Sequence, residues 1–281
     1  RPRTAHRRRP WPARPGKTAH ALRSGLRRGR GCRPVALPWR PAARSRTGRW
    51  PTGQPGPGPG STWPCLVAPR SAHHQFSGTD ELRAKDIQQF LDDPSIKAII
   101  AGRGGYGTIR IIDELDFTAF NESPKWLIGF SDITILLSHV FAQFETQSIH
   151  GQMPYTFAES TPEALESLRK LLFGEQVEYS YSTAIKNRTG KAEGILIGGN
   201  LSLLVAVEGS VSEMDYPDKI LFLEDVGEHE YSIDRMMRLL KRAGKLAKLK
   251  GLIIGAFNEI DEEKIPFGQT PEELIWKLVE E

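Results

Sequence analysis

At 281 residues the chain is long enough for one large domain or two modest ones, each with a real core, but its net charge of +4 averages two unlike pieces. Residues 1–70 carry 16 Arg and one Lys with no acid, whereas residues 71–281 carry 21 basic against 34 acidic residues. An acidic folding part removes most of the case for a nucleic-acid-binding domain, and no stretch approaches the roughly 20 apolar residues that cross a bilayer.

Residues 1–75 read as a disordered segment. The first 70 hold 13 Pro and 9 Gly and no Ile, Phe or Tyr, too little apolar surface to offset the entropy of ordering. A transit peptide, a nucleic-acid-binding arm and a polybasic tether compete as readings, and Arg outnumbering Lys sixteen to one favours a fourth, a wrongly framed GC-rich upstream stretch. Cys32 and Cys65 match no metal or redox spacing, and the pair His73-His74 lacks a third ligand, so no metal is assigned. The absence of both a disulfide framework and an apolar signal segment points to a reducing, cytoplasmic location.

From Thr79 the texture becomes that of an alternating α/β protein. Thr79 or Asp80 caps a helix to Asp92, and the β-branched run Ile96–Ile100 is a buried strand leading into the glycine-rich loop Gly102–Gly107. A helix over 108–115, a strand over 126–130, a helix carrying Ile133, Leu136, Leu137, Val140 and Phe141, and a strand over 147–150 follow. Thr161-Pro162-Glu163 opens a helix to Phe173 with a cap and Pro at its first position. Residues 174–190 read as a linker. Beyond it come a strand over 194–197, a turn at Gly198-Gly199-Asn200, a strand over 219–223 ending in Glu224-Asp225, a helix over 232–243, a strand over 251–255 and a last helix from Thr270-Pro271. The domains are therefore placed at 76–173 and 191–281.

Ser131 is the most informative position. A serine where a buried strand meets a helix has its hydroxyl held in a tight turn beside free helix amides, the geometry of a nucleophile elbow, although Gly129-Phe130-Ser131-Asp132 is not G-x-S-x-G and on spacing alone Ser131 reads at least as well as a helix N-cap. The loop Arg103–Gly107 offers amides to an anion or simply permits a tight turn; it lacks both a P-loop ending and a dinucleotide fingerprint. Glu224 ends a central strand, where α/β folds place functional groups, with Asp225 and Glu228 in the same turn. His150 and His229 are either general bases or incidental polar residues.

Taken together, Ser77–Arg83, Arg103–Gly107, Ile128–Thr134, His150–Met153, Gly198–Ser202, Leu221–Glu228 and Ile233–Met236 resemble, in order, the L,D-carboxypeptidase (muramoyltetrapeptide carboxypeptidase) family of serine peptidases, which includes microcin C immunity peptidases. The resemblance covers roughly residues 76–260. It implies a Rossmann-like N-terminal α/β domain with the nucleophile and a C-terminal swivelling domain, commonly as a homodimer, without metal or organic cofactor. By position, Ser131 matches the nucleophile and Glu224 the acid of a Ser-His-Glu triad. The amides of Asp132 and of Gly104 or Gly105 would line the oxyanion hole, with Arg103 and Asn200 on the substrate side. The implied reaction releases terminal D-alanine from murein tetrapeptide in peptidoglycan recycling, with no nucleic-acid or membrane partner. The family's catalytic histidine lies in a Gly-His stretch later than any matched here, and its opening strand is not matched, so both domains read as incomplete and turnover is expected to be feeble or nil. Gln152 stands where the family usually has Pro. A non-catalytic peptide-binding relative and a microcin-type immunity peptidase are the alternatives.

Overall fold

Alternation of short apolar strands with amphipathic helices builds two parallel sheets. The structure is a computed structural model in which residues 65–66 (as backbone), 76–181, 187–260 and 265–280 are described. Strands β1 (Cys65–Leu66), β2 (Ala98–Ala101), β3 (Trp126–Gly129) and β4 (Ile149–His150) form the first sheet in that order, every pair parallel. Strands β5 (Leu196–Asn200), β6 (Ile220–Val226) and β7 (Gly251–Asn258) form the second, also in chain order and parallel. Parallel strands need covered faces, and the helices supply them.

The first sheet alternates its side chains between two cores. Ile99 and Leu127 pack with Ala84, Ile87 and Leu91 of α1 (Asp80–Asp92), with Phe120 of α2 (Thr118–Glu122), and with Ile135, Leu136 and Val140 of α3 (Thr134–Phe144). Ala98, Ile128 and Ile149 face the other way, onto Leu168 and Leu172 of α4 (Pro162–Leu172). In the second sheet Ile197, Leu221 and Leu223 pack with α5 (Leu201–Ala206), α6 (Glu230–Arg242) and α7 (Pro271–Glu280). Thr79 and Thr161 cap α1 and α4 through Leu82 N and Ala164 N, as their sequences predict. The buried Lys125 ammonium donates to the carbonyls of Phe90, Leu91 and Asp93 and so closes the C-terminal end of α1. Helix α3 ties the halves together: Ser138 Oγ donates to Ser212 O at 2.6 Å, and His139 Nδ1 lies 2.9 Å from Ser212 Oγ.

The structure corrects three expectations. Residues 108–115 form two short 3-10 turns, Thr108–Arg110 and Ile112–Glu114, because Thr108 is anchored by Asp132 rather than left to start an α-helix. Gly198-Gly199-Asn200 is no turn but the end of β5; both glycines are extended at positive φ, 132° and 144°, and a Cβ on Gly198 would lie 1.9 Å from Phe222 O. Cys65–Leu66 falls within the segment read as disordered, yet its backbone pairs with Ile100 and Ala101; the apolar run Cys65-Leu66-Val67 outweighs its proline-rich flanks. The rest of residues 1–75, including Cys32 and the His73-His74 pair, lies outside the described residues, as do 182–186 within the expected linker. Among the described residues no helix is long and apolar enough to cross a membrane.

Candidate active site

The C-terminal ends of the two sheets meet around Ser131. Strand β3 stops at Gly129, Phe130 is extended, and Ser131 sits in the left-handed region at φ 58°, a conformation a non-glycine residue holds only when its surroundings enforce it. Two contacts enforce it. A Cβ on Gly129 would fall 2.8 Å from Ile133 Cγ2, so only glycine lets the chain turn so sharply. Gly104 presses on the turn from the other side: its Cβ would lie 3.0 Å from Ser131 Cβ and 3.2 Å from Ser131 Oγ. The sequence leaves both an elbow and an N-cap open for Ser131; its positive φ favours the elbow, and it is the first residue of the 3-10 turn Ser131–Ile133, whose cap position is Phe130.

The glycine loop is bound to this elbow by Asp132. Its buried carboxylate accepts from Thr108 N at 2.9 Å and from Thr108 Oγ1 at 2.7 Å, joining the far end of the loop to the residue after Ser131. Loop and turn thus form one unit in which Gly104 packs directly against the serine. Gly105 is exposed and at positive φ, 128°, with open space where a Cβ would go. Arg103 is exposed, with its guanidinium 5.1 Å from the Tyr155 ring. Beneath the loop, Arg83 occupies the space a Gly107 side chain would need and shares Asp80 with Arg110, both guanidinium groups lying over Phe76. Those two cations hold the Asp80 carboxyl down at about 2.

The second sheet arrives through Thr134, one turn beyond Ser131. A Cβ on Gly199 would lie 2.8 Å from Thr134 Cγ2, and Asn200 N donates to Thr134 Oγ1 at 3.2 Å. Asn200 is buried and caps α5: its Oδ1 accepts from Leu203 N and Ser202 Oγ, and its Nδ2 donates to Asp225 Oδ1 at 2.8 Å. Its amide is thus committed within the protein, beside the acid it pairs with in register, Glu224.

Glu224 is partly buried, and Oε1 is a buried atom with no hydrogen-bond partner among the described residues. Burial, reinforced by the neighbouring Asp225 charge and offset by Asn200, pushes its carboxyl up to about 7. The imidazole facing it is His150, with Nε2 3.7 Å from Oε1. Burial pushes that imidazole down to about 4. His229 lies elsewhere, stacked on Tyr231 before α6. Thr108 and Thr134 escape a reading by residue type because each bonds a residue far away in sequence, Asp132 and Asn200; Asp132 is named from the sequence for its amide, whereas the structure shows its carboxylate anchoring the loop.

Comparison with known proteins gives this geometry its lineage. The LD-carboxypeptidase N-terminal domain matches residues 62–151 and the LD-carboxypeptidase C-terminal domain matches residues 193–281, a wider span than the motifs alone suggested. The Bacillus subtilis protein named "Probable murein peptide carboxypeptidase" is 35% identical over 196 residues, covering 67% of this chain and 61% of its own. The murein tetrapeptide carboxypeptidase of Pseudomonas aeruginosa is 32% identical over 205 residues, 69% of this chain and 66% of its own. The chain thus spans about two thirds or less of the length of these relatives. The crystal structure of muramoyltetrapeptide carboxypeptidase from Oxalobacter formigenes superposes with a TM-score of 0.63 at 30% identity, over 73% of this chain and 71% of that one. The Microcin C7 immunity protein MccF with glutamyl sulfamoyl guanosine, 23% identical with a TM-score of 0.64 over 74% of this chain and 71% of its own, shares the fold. Two matched domains in order, a relative above 30% identity and two parallel sheets arranged as in these structures place the chain in the LD-carboxypeptidase family.

Proposed function

We propose that the chain carries a serine-peptidase site of L,D-carboxypeptidase type, acting slowly on a short murein peptide to release its terminal D-alanine. The observation that carries the reading is the strained Ser131 elbow with Gly104 packed on its hydroxyl. In this reading Ser131 Oγ attacks the carbonyl of the L,D bond. The amides of Asp132 and of Gly104 or Gly105 receive the charge that develops on the carbonyl oxygen, and donors fixed beforehand cost no reorganisation as it forms. Arg103, exposed at the loop's start, offers a cation to the peptide's terminal carboxylate. Glu224 orients an imidazole, as the acid of a serine triad does. Among the described residues no imidazole hydrogen-bonds the Ser131 hydroxyl, and a serine without its base loses on the order of 10^4- to 10^6-fold in rate. The relatives acting on murein peptides, at 32 to 35% identity, favour that substrate over an aminoacyl nucleotide.

The test is incubation of the full chain with murein tetrapeptide and quantification of free D-alanine. Slow release that Ser131→Ala abolishes is expected. Tetrapeptide bound equally well by the chain and by Ser131→Ala, without release from either, would make it a binding relative instead.

A further inference from the structure

The loose end of the site is a carboxyl and an imidazole that face each other without bonding. Among the described residues Glu224 Oε1 and His150 Nδ1 are both buried without a hydrogen-bond partner, and the ring's other nitrogen, Nε2, stands 3.7 Å from that same Oε1, too far for a hydrogen bond and too near to ignore. Neither residue is there by accident of a loop. His150 ends β4, in register with Gly129 of β3, and Gly151 N donates to Gly129 O, so its backbone is bound to the strand that delivers Ser131. Glu224 is held in β6, in register with Asn200. The imidazole is walled by aromatic rings, Phe130 from the first sheet at 6.2 Å and Phe222 from the second at 5.4 Å, edge-on.

We propose that His150 is a positioning residue for Glu224: by closing to hydrogen-bond distance it holds the acid against the nucleophile's sheet and sets the direction in which the carboxyl's other oxygen points. The inference rests on the serine-peptidase reading for its meaning but not for its geometry. Because burial disfavours the charged form of both groups, the contact is made by the protonated carboxyl donating to Nε2 of the neutral imidazole, rather than as an ion pair. The charged groups facing the pair are Asp225, beside Glu224 on β6, and Glu228, which acts on Asp225. Asn200 Nδ2 occupies Asp225 Oδ1, and Ser202 N occupies Oδ2, so Asp225 is already satisfied and does not compete for the imidazole.

The experiment is nitrogen-15 NMR of the histidine side chains of the full chain between pH 4 and 8, in the wild type, Glu224→Gln and Ser131→Ala. The expected result is a His150 Nε2 signal of a hydrogen-bonded nitrogen, neutral down to pH 5, that moves in Glu224→Gln and stays in place in Ser131→Ala. A His150 spectrum and titration identical in the wild type and Glu224→Gln would overturn the proposal. In the D-alanine assay His150→Gln, which keeps a hydrogen-bonding group, is expected to retain more kcat than His150→Phe, with KM within twofold for both; equal kcat in both variants and the wild type would also overturn it. If the wild type shows no Ser131-dependent release, the peptidase reading fails on its own, and the NMR comparison still decides the pair.

Discussion

Ser131 lies two residues past the end of β3 and Glu224 in the C-terminal part of β6, each on the C-terminal side of a parallel sheet, yet the protein secures them by opposite means. Around Ser131 the constraint is steric and complete. The backbone is forced to positive φ, Gly129 and Gly104 leave no room for it to relax, and the Asp132 carboxylate spends one oxygen on two Thr108 donors. Around Glu224 nothing is strained. The residue lies in a strand, and its carboxyl is held by burial and by the Asn200 side chain, with Oε1 lacking a hydrogen-bond partner among the described residues. A group positioned by backbone sterics is insensitive to pH. One positioned by desolvation carries an unspent electrostatic cost, and its behaviour changes with its charge.

Four experiments would break or sharpen this contrast. The largest effect belongs to Ser131→Ala, which should abolish the slow D-alanine release, leaving background, without lowering Tm, because the backbone turn is imposed by its neighbours and not by the hydroxyl. Next, Gly104→Ala should lower kcat by about 10^2-fold, because the added methyl meets Ser131 Oγ at 3.2 Å. Activity near wild type in this variant would mean that the loop yields and that the elbow is not sterically determined. Asp132→Ala should destabilise the chain by about 1–3 kcal/mol in urea unfolding, since it strips two donors of Thr108 of their acceptor. The smallest effect has the opposite sign. Glu224 keeps its proton in the folded chain up to about pH 7 but loses it near 4.5 when unfolded, so its contribution to stability falls as pH rises through that window. Glu224→Gln should therefore raise stability by about 1–2 kcal/mol at pH 8 and leave it unchanged at pH 4. His150 works in the other direction: held neutral to about pH 4, it costs stability as pH falls below 6.5. A destabilised Glu224→Gln at pH 8 would show that the carboxylate is satisfied after all and would dissolve the contrast.

Much of the architecture was legible because its causes are local. Thr79 and Thr161 cap their helices with their own side chains, and the short apolar runs Ile96–Ile100 and Lys219–Leu223, bounded by turn residues, overlap strands β2 and β6. Ser131 was legible too, since a strand ending in Ser-Asp before an apolar helical stripe is a pattern within one turn of chain. Gly198-Gly199 was misread because the demand for glycine there comes from Phe222, on the neighbouring strand, and not from a bend in its own backbone. Residues 108–115 were misread as one helix for a related reason: Asp132, 24 positions away, takes the Thr108 amide.

The amino-acid sequence by itself determined most of the elements, their alternation, the placement of the serine just after a strand, and the family to which they belong, because these depend on periodicity, capping and short motifs; β6 runs on through Glu224 to Val226, past the end expected at Leu223. Only the tertiary structure decided which groups meet. His150 and Glu224 are 74 positions apart, and either could pass for an incidental polar residue. They face each other because pairing with β3 and pairing with β5 bring two separate strand ends to one place, and hydrogen-bond register between strands is not written in the composition of either.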